Sequence, residues 1–264
     1  MAYVRFRHPD TQRPLYGRIS DDQPDAIAAL QSAPWHDHLQ LTGEQFERGR
    51  LSLLPPCEPS KMIGVEKNYA THAAEMAGIT GDGSLPSEPL LFLKPSSSLL
   101  PDGGQIVYPQ LSQRVDYEGE LAVVVGQPCR NVSWQDASLA IFGYTIANDV
   151  TARDLQVTDR QWTRAKGFDT FCPLGPQIVT QLPNEAQLET RLNGQIVQSA
   201  ALDQMVFSPA HLIAYISQFM TLWPGDVILT GPSGVGPLQV GDEVRVTISG
   251  IGTLTNGVVE SLKL

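Results

Sequence analysis

The sequence is short of cysteine, of clustered positive charge and of long apolar runs, and each shortage narrows what it can do. Cys57, Cys129 and Cys172 are odd in number and widely spaced. That argues against a disulfide framework and fits reduced thiols. None has a histidine nearby in sequence, so no cysteine nucleophile is expected. Lys and Arg total 18 against 28 Asp and Glu, for a net charge of −10, and no basic stripe or cluster occurs. Nucleic acid and anionic membrane are therefore not expected partners. An anionic substrate would have to be attracted locally, by a metal or a few placed cations. No stretch approaches the roughly 18 apolar residues of a membrane helix. The opening Met1-Ala-Tyr-Val-Arg-Phe6 has no apolar h-region, so a cytoplasmic protein is expected. Internal repeats and low-complexity segments are also lacking.

What is present reads as a mostly β chain. An apolar fraction of 42% over 264 residues is enough for a sizeable core. Residues 1–56 form a small N-terminal subdomain in this reading. It has short strands at Tyr3–Phe6 and Leu15–Ile19, and polar, helix-tolerant stretches between Asp21 and Arg50. Prolines 55, 56 and 59 mark a linker, and residues 57–264 form the main domain. Strand-like runs recur there with Gly and Pro between them, among them Met62–Val65, Leu90–Leu93, Glu120–Val125, Gly143–Ala147 and Glu243–Ile248. Two helices stand out: a short one over Asn131–Ala140, and one over Ser208–Leu222 with Ser208 as N-cap and Pro209 at the first position. Many strands and few helices do not suit an alternating βαβ fold. The expected class is α+β, a mixed β-roll or barrel-like architecture.

Three carboxylates stand out. Glu118 and Glu120 are two apart as a strand begins, so their side chains share a face. Asp149 closes a second β-like run. On spacing alone, these are either a solvated strand face with a turn residue or an all-oxygen site. Such a site suits hard cations, whereas zinc recruits His or Cys. His72 and Glu75, three apart on a short helix stopped by Gly78, share a face. They make either a solvated pair or an oriented general base. His36 and His38 have metal-like spacing but no acidic partners, and are read as surface residues; His211 is read as structural. Arg153 and Gln156 follow Asp149 on one side of a possible helical turn, where Arg153 either neutralises acids or holds an anion. Lys166 sits in a Gly/Pro-bounded loop and is either a site lysine or a solvated charge. The Gly-rich segment 229–237 lacks Gly-Lys-Ser/Thr and is not a P-loop. It either offers backbone donors to a carboxylate or simply connects two strands.

Six motifs in order resemble the fumarylacetoacetate hydrolase superfamily from about Pro59 to Val259. They are Gly64…Asn68-Tyr-Ala-Thr-His72-Ala-Ala-Glu75, Leu91-Phe-Leu-Lys94-Pro-Ser, Arg114-Val-Asp-Tyr-Glu118-Gly-Glu120, Asn148-Asp149-Val-Thr-Ala-Arg153-Asp-Leu-Gln156, Lys166-Gly-Phe-Asp-Thr-Phe-Cys-Pro and Pro224-Gly-Asp-Val-Ile-Leu-Thr-Gly. The resemblance implies a β-roll, a homodimer, and Mg²⁺ or Mn²⁺ on Glu118, Glu120 and Asp149. It implies His72 and Glu75 as a catalytic lid dyad with Lys166 as the site lysine, and a 2-oxo or 2,4-dioxo acid as the substrate. Arg153, Gln156, Thr230 and Gly231 match substrate-side positions. The implied activity is cleavage of a C–C bond in acylpyruvate-type acids, with oxaloacetate decarboxylation beside it. The alternatives are isomerisation or tautomerisation of 2-oxo or 2-hydroxy-dienoate acids, and a catalytically silent metabolite binder. Two departures are visible. Thr230-Gly-Pro-Ser-Gly234 is one residue short of the family's Thr-Gly-Thr-Pro-x-Gly, and Glu66-Lys67 replaces smaller or basic residues beside the lid.

Overall fold

The computed structural model describes residues 1–36, 39–77 and 83–261. Alternating apolar side chains produce strands, and these assemble into one long sheet and two smaller ones. The long sheet begins as an antiparallel meander of Ala2–Arg7, Pro14–Ser20, Gln23–Leu30 and Leu41–Glu47. From the Ala2–Arg7 strand it continues through Cys172–Val179, Ile141–Asn148, Gly119–Val125, Val227–Leu229, Met62–Glu66 and Leu90–Lys94. Val227–Leu229 runs parallel to Met62–Glu66 while its other neighbour is antiparallel, so the sheet is mixed. Ala2 and Tyr3 pair with Val179 and Ile178, so the first strands extend the sheet of the main domain.

The sheet rolls up. Trp35, just past the third strand, packs on Gly225, just before Val227–Leu229. Met62, Ala122, Val124, Leu174 and Leu229 fill the inner face. Outside, the five-stranded sheet packs through Leu188, Val246, Ile248 and Leu254 on Leu121 and Ile146. The architecture is the mostly β, α+β roll that the strand pattern predicts.

Four short α-helices complete the described residues: α1 (Ala70–Glu75), α2 (Arg153–Thr158), α3 (Thr163–Lys166) and α4 (Pro209–Ser217). Ser208 caps α4 by accepting from the His211 N–H. At nine residues α4 is below the length that is stable alone. Burial of Leu212, Ile213 and Ile216 against Val123 and Val125 holds it, at about 1.5–3 kcal/mol per side chain. It ends at Ser217, short of the expected Leu222. None of these helices is long and apolar enough to cross a membrane.

Two expectations need correction. The helix-tolerant region between Asp21 and Arg50 contains two strands. Cross-strand pairing and burial of Ile27, Ala29 and Leu30 override its weak local preference. Asn131–Ala140 is not an α-helix but turns followed by a 3₁₀ turn at Ala137–Ala140. Asn131 has a φ of +54°, a left-handed value no right-handed helix contains. His36 is exposed; His38 and Gly78 lie outside the described residues.

Candidate active site

The acidic cluster sits where two strands change sheets. Val115–Tyr117 and Thr151–Ala152 belong to the three-stranded sheet, with Gly236–Pro237. Their continuations, Gly119–Val125 and Ile141–Asn148, are neighbours in the long sheet. Asp116↔Thr151 is a pair on one side of the junction and Gly119↔Asn148 on the other. Glu118 and Asp149 lie between the sheets. Asp149 N donates to the Glu118 carbonyl at 2.9 Å, and Glu118 N donates to Asn148 Oδ1 at 2.9 Å. Glu120, two residues on, shares the inner face. One ligand oxygen from each of Glu118, Glu120 and Asp149 lies within 4.8 Å of the others, and all three residues are buried.

Buried like charges raise one another's pKa unless cations intervene. Here three do. Lys166 Nζ donates to Glu118 Oε2 at 2.8 Å and Asp149 Oδ2 at 2.5 Å. Lys94 Nζ lies 2.6 Å from Asp149 Oδ1 and donates to the Lys166 carbonyl at 2.6 Å. Arg153 spans Asp116, at 2.9 Å, and Glu118, and also donates to Gln156 Oε1. Burial alone would raise the Glu118 carboxyl, but Lys166 and Arg153 outweigh it and hold the carboxyl below the ordinary range. Burial likewise disfavours charged Lys166, and Asp149 and Glu118 outweigh it, raising the ammonium above its usual value. Glu120 differs. Its Oε2 accepts from Gly231 N at 2.6 Å, while Oε1 has no hydrogen-bond partner. Burial, then the charges of Asp149 and Glu118, pushes its carboxyl well above the ordinary range. A bound cation would reverse that, so the donor set fits a hard divalent ion.

His72 is fully buried in α1, yet neither ring nitrogen has a hydrogen-bond partner. Glu75 Oε2 is 3.9 Å from Nδ1 and Glu66 Oε1 is 3.8 Å from Nε2. The turn leading into α1 is held by Asn68. Its side chain donates to the Phe207 and Thr230 carbonyls at 2.9 and 2.7 Å and accepts from Phe207 N at 2.6 Å. Tyr69 and Met76 are buried at either end, so α1 is docked. Beside it, a cavity of about 520 Å³ is lined by Glu66, Leu90, Phe92, Arg160 and Trp162 among others. Lys166 Nζ sits 4.6 Å from the Phe92 ring centroid, so the cavity and the acidic cluster share a wall.

The shortened loop is also placed. Thr230 Oγ1 donates to the Leu121 carbonyl at 3.0 Å, which commits the hydroxyl's proton to the backbone. Gly231 has φ +93°, and a Cβ there would lie 2.9 Å from both the Val65 carbonyl and Asn68 Cβ. Only glycine brings the N–H to Glu120. Ser233 accepts Thr71 Oγ1 at its carbonyl, 2.8 Å, and Gln198 Nε2 at its hydroxyl, 3.1 Å.

Sequence reasoning gave no role to four residues that shape the site. Lys94 comes from the end strand of the long sheet, and Asp116 anchors Arg153. Glu66 reaches His72. Gln198 donates to the Gly119 carbonyl at 2.8 Å and accepts from Gly119 N at 3.2 Å, pinning the residue between the two glutamates. A Cβ at Gly119 would lie 2.3 Å from Thr190 Oγ1. A partial signal existed for Lys94: it follows Phe92 by two in a strand, and so shares its face.

Comparison with known proteins finds related chains and folds. The family model described as fumarylacetoacetate (FAA) hydrolase C-terminal matches residues 61–259. The model described as Rv2993c-like, N-terminal matches residues 1–56. A protein of Archaeoglobus fulgidus is 50% identical over 224 residues, covering 84% of this chain and 88% of that protein. The human mitochondrial oxaloacetate tautomerase FAHD2A is 42% identical over 221 residues, 78% of this chain and 69% of that protein. A solved structure described as 5-carboxymethyl-2-hydroxymuconate delta-isomerase from Mycobacterium smegmatis matches with a TM-score of 0.88 at 41% identity. It covers 99% of this chain and 100% of that one.

Proposed function

The chain belongs to the fumarylacetoacetate hydrolase family, and from that premise we propose that it is a divalent-metal-dependent enzyme that enolises 2-oxo acids. One observation carries the reading: three buried carboxylates converge with no His or Cys among them, and one of them, Glu120, has an unpartnered buried oxygen. Glu118, Glu120 and Asp149 would hold Mg²⁺ or Mn²⁺. When bound, such an ion polarises a 2-oxo group and stabilises the enolate that forms from it.

The chain's own residues do the rest in this reading. Gly231 N–H fixes Glu120, and Lys94 and Lys166 fix Asp149. Lys166 and Arg153 place positive charge beside the cluster, where an anionic substrate needs it. Gln156 Nε2 is buried without a partner and supplies a donor. His72 takes the proton from carbon. Isomerisation or tautomerisation comes first among the outcomes, since the human relative is named an oxaloacetate tautomerase and the Mycobacterium smegmatis structure a delta-isomerase. Hydrolysis of a 2,4-dioxo acid is the second reading, favoured by the family's name; there the same enolate is the leaving group. Oxaloacetate decarboxylation draws on the same electron sink.

The test pairs a substrate panel with one variant. Oxaloacetate, acetylpyruvate and a hydroxymuconate-type diacid are assayed side by side for tautomer exchange, C–C cleavage and CO₂ release. Glu120→Gln is expected to weaken Mn²⁺ binding by at least about a hundredfold without lowering the melting temperature of the metal-free protein. Unchanged Mn²⁺ affinity in that variant would sink the metal assignment. Metal-independent turnover of the whole panel would do the same for the mechanism.

A further inference from the structure

One buried carboxylate outside the acidic cluster faces His72. Glu66 ends the strand Met62–Glu66, is 1% exposed and lines the cavity beside the acidic cluster. Two carboxylates flank His72 at nearly equal distance, 3.8 Å for Glu66 and 3.9 Å for Glu75, but their surroundings differ. The Glu75 side chain is 50% exposed and that of Glu66 only 1%. At equal distance the interaction scales inversely with the effective dielectric, so the buried charge acts on the imidazole several-fold more strongly. Burial alone would raise the Glu66 carboxyl, yet His72, Lys166 and Arg153 hold it below the ordinary range. Glu66 lines one cavity with Phe92, whose ring lies 4.6 Å from Lys166 Nζ, and so stands toward the acidic cluster. Glu75 lies instead toward the loop at Gly234. The backbone supports this placement: Lys67, the next residue, has a φ of +55°. That backbone region is unfavourable for a non-glycine residue and persists only where surrounding contacts enforce it. The Asn68 bonds supply that enforcement.

We propose that Glu66, rather than Glu75, is the positioning residue that orients His72 and balances its charge during proton transfer. This deepens the enolisation reading and rests on it. In the step, the C3–H bond of a 2-oxo acid breaks and its proton goes to a ring nitrogen of His72. The C–H electron pair becomes the C2=C3 bond and the carbonyl π pair moves to the 2-oxo oxygen, while the Glu66 carboxylate offsets the positive charge now on the ring. Return of the proton to oxygen gives the enol, and return to carbon gives back the keto acid. No water is consumed, and a proton that is held and returned is what tautomerisation or isomerisation requires.

The experiment follows exchange of the pyruvate C3 hydrogens in D₂O by NMR with saturating Mg²⁺, for wild type, Glu66→Gln and Glu75→Gln. Oxalate affinity, melting temperature and the pH profile of kcat/KM are measured on the same samples. Glu66→Gln is expected to slow exchange by about a hundredfold, with oxalate affinity and melting temperature unchanged. Glu75→Gln is expected to slow it by less than about fivefold. The groups facing the ring are Glu66, Glu75 and, farther off, Glu118. Glu66→Gln is expected to change the pH profile of kcat/KM, and Glu75→Gln to leave it as in wild type. A loss in Glu75→Gln equal to or larger than that in Glu66→Gln overturns the proposal. So does a Glu66→Gln loss accompanied by weaker oxalate binding and a lower melting temperature, which marks a structural role. Wild-type exchange no faster than Mg²⁺ buffer, for pyruvate and oxaloacetate alike, rejects the enolisation reading before any variant is compared.

Discussion

The two halves of the candidate site are built on opposite terms. Around Glu118 and Asp149, every buried charge meets an opposite one: Lys94, Arg153 and Lys166 answer the acids at hydrogen-bond distance. Around His72, both ring nitrogens are buried and neither is bonded, with carboxylates nearly 4 Å away on each side. The first half is held together by these ion pairs and leaves Glu120 Oε1 open. The second keeps its polar atoms uncommitted, at a cost of about 1–3 kcal/mol for each unsatisfied group. The difference separates residues that hold the site together from those kept ready for chemistry, and substitutions should separate them in the same way.

Lys166→Met is expected to have the largest effect. It leaves Glu118 and Asp149 facing each other in a buried site with one cation fewer, which costs about 3–5 kcal/mol when a buried pair loses a partner. Thermal melts should therefore drop steeply in metal-free buffer and recover in part with Mn²⁺, which takes over the neutralising role. A melting temperature unaffected by either change would break the contrast. His72→Leu should behave in the opposite way. An apolar side chain of similar bulk removes two unsatisfied atoms, so the melting temperature should hold or rise while turnover disappears. A fall of several degrees would mean His72 is structural after all.

The smallest effect is expected at the base of α2. There the Asp154 carboxylate accepts from Ser112 Oγ at 2.6 Å and Gln113 N at 2.9 Å. Burial opposes the charge, but these bonds outweigh it and the carboxyl is lowered from its usual value. A lowered carboxyl stabilises the fold above the unfolded value near 3.9, and that contribution fades as pH falls through the folded one. Asp154→Asn should then be less stable than wild type by about 1 kcal/mol at pH 7. The gap should narrow below about pH 5 and vanish in strong acid. Urea denaturation at a series of pH values would show a constant gap if the bonds carry no charge dependence.

Legibility in the sequence followed the range of the interaction. Glu118 and Glu120 were readable because strand alternation puts residues two apart on one face. The α4 start was readable because Ser208-Pro209 carries its own cap. Neither needs a distant partner. Lys94 and Glu66 reach the site only because Leu90–Lys94 pairs with Met62–Glu66, with Lys94 opposite Met62 and Leu90 opposite Glu66. Gln198 touches Gly119 across 79 positions. The meander strands within Asp21–Arg50 were hidden for the same reason, since their stability lies in neighbours rather than in their own residues. Thr230 was placed on the substrate side by motif matching alone, and the geometry shows its hydroxyl bonded to Leu121.

The crossover at Glu118 and Asp149 has a consequence beyond chemistry. Both carboxylates hang from backbone that leaves one sheet for another, and Gln198 ties the intervening Gly119 to a third. Their spacing is thus a gauge of how the three sheets sit on one another. A paramagnetic ion placed there would register a slip between sheets as a change in its spectrum, even when the disturbance begins on the far side of the molecule.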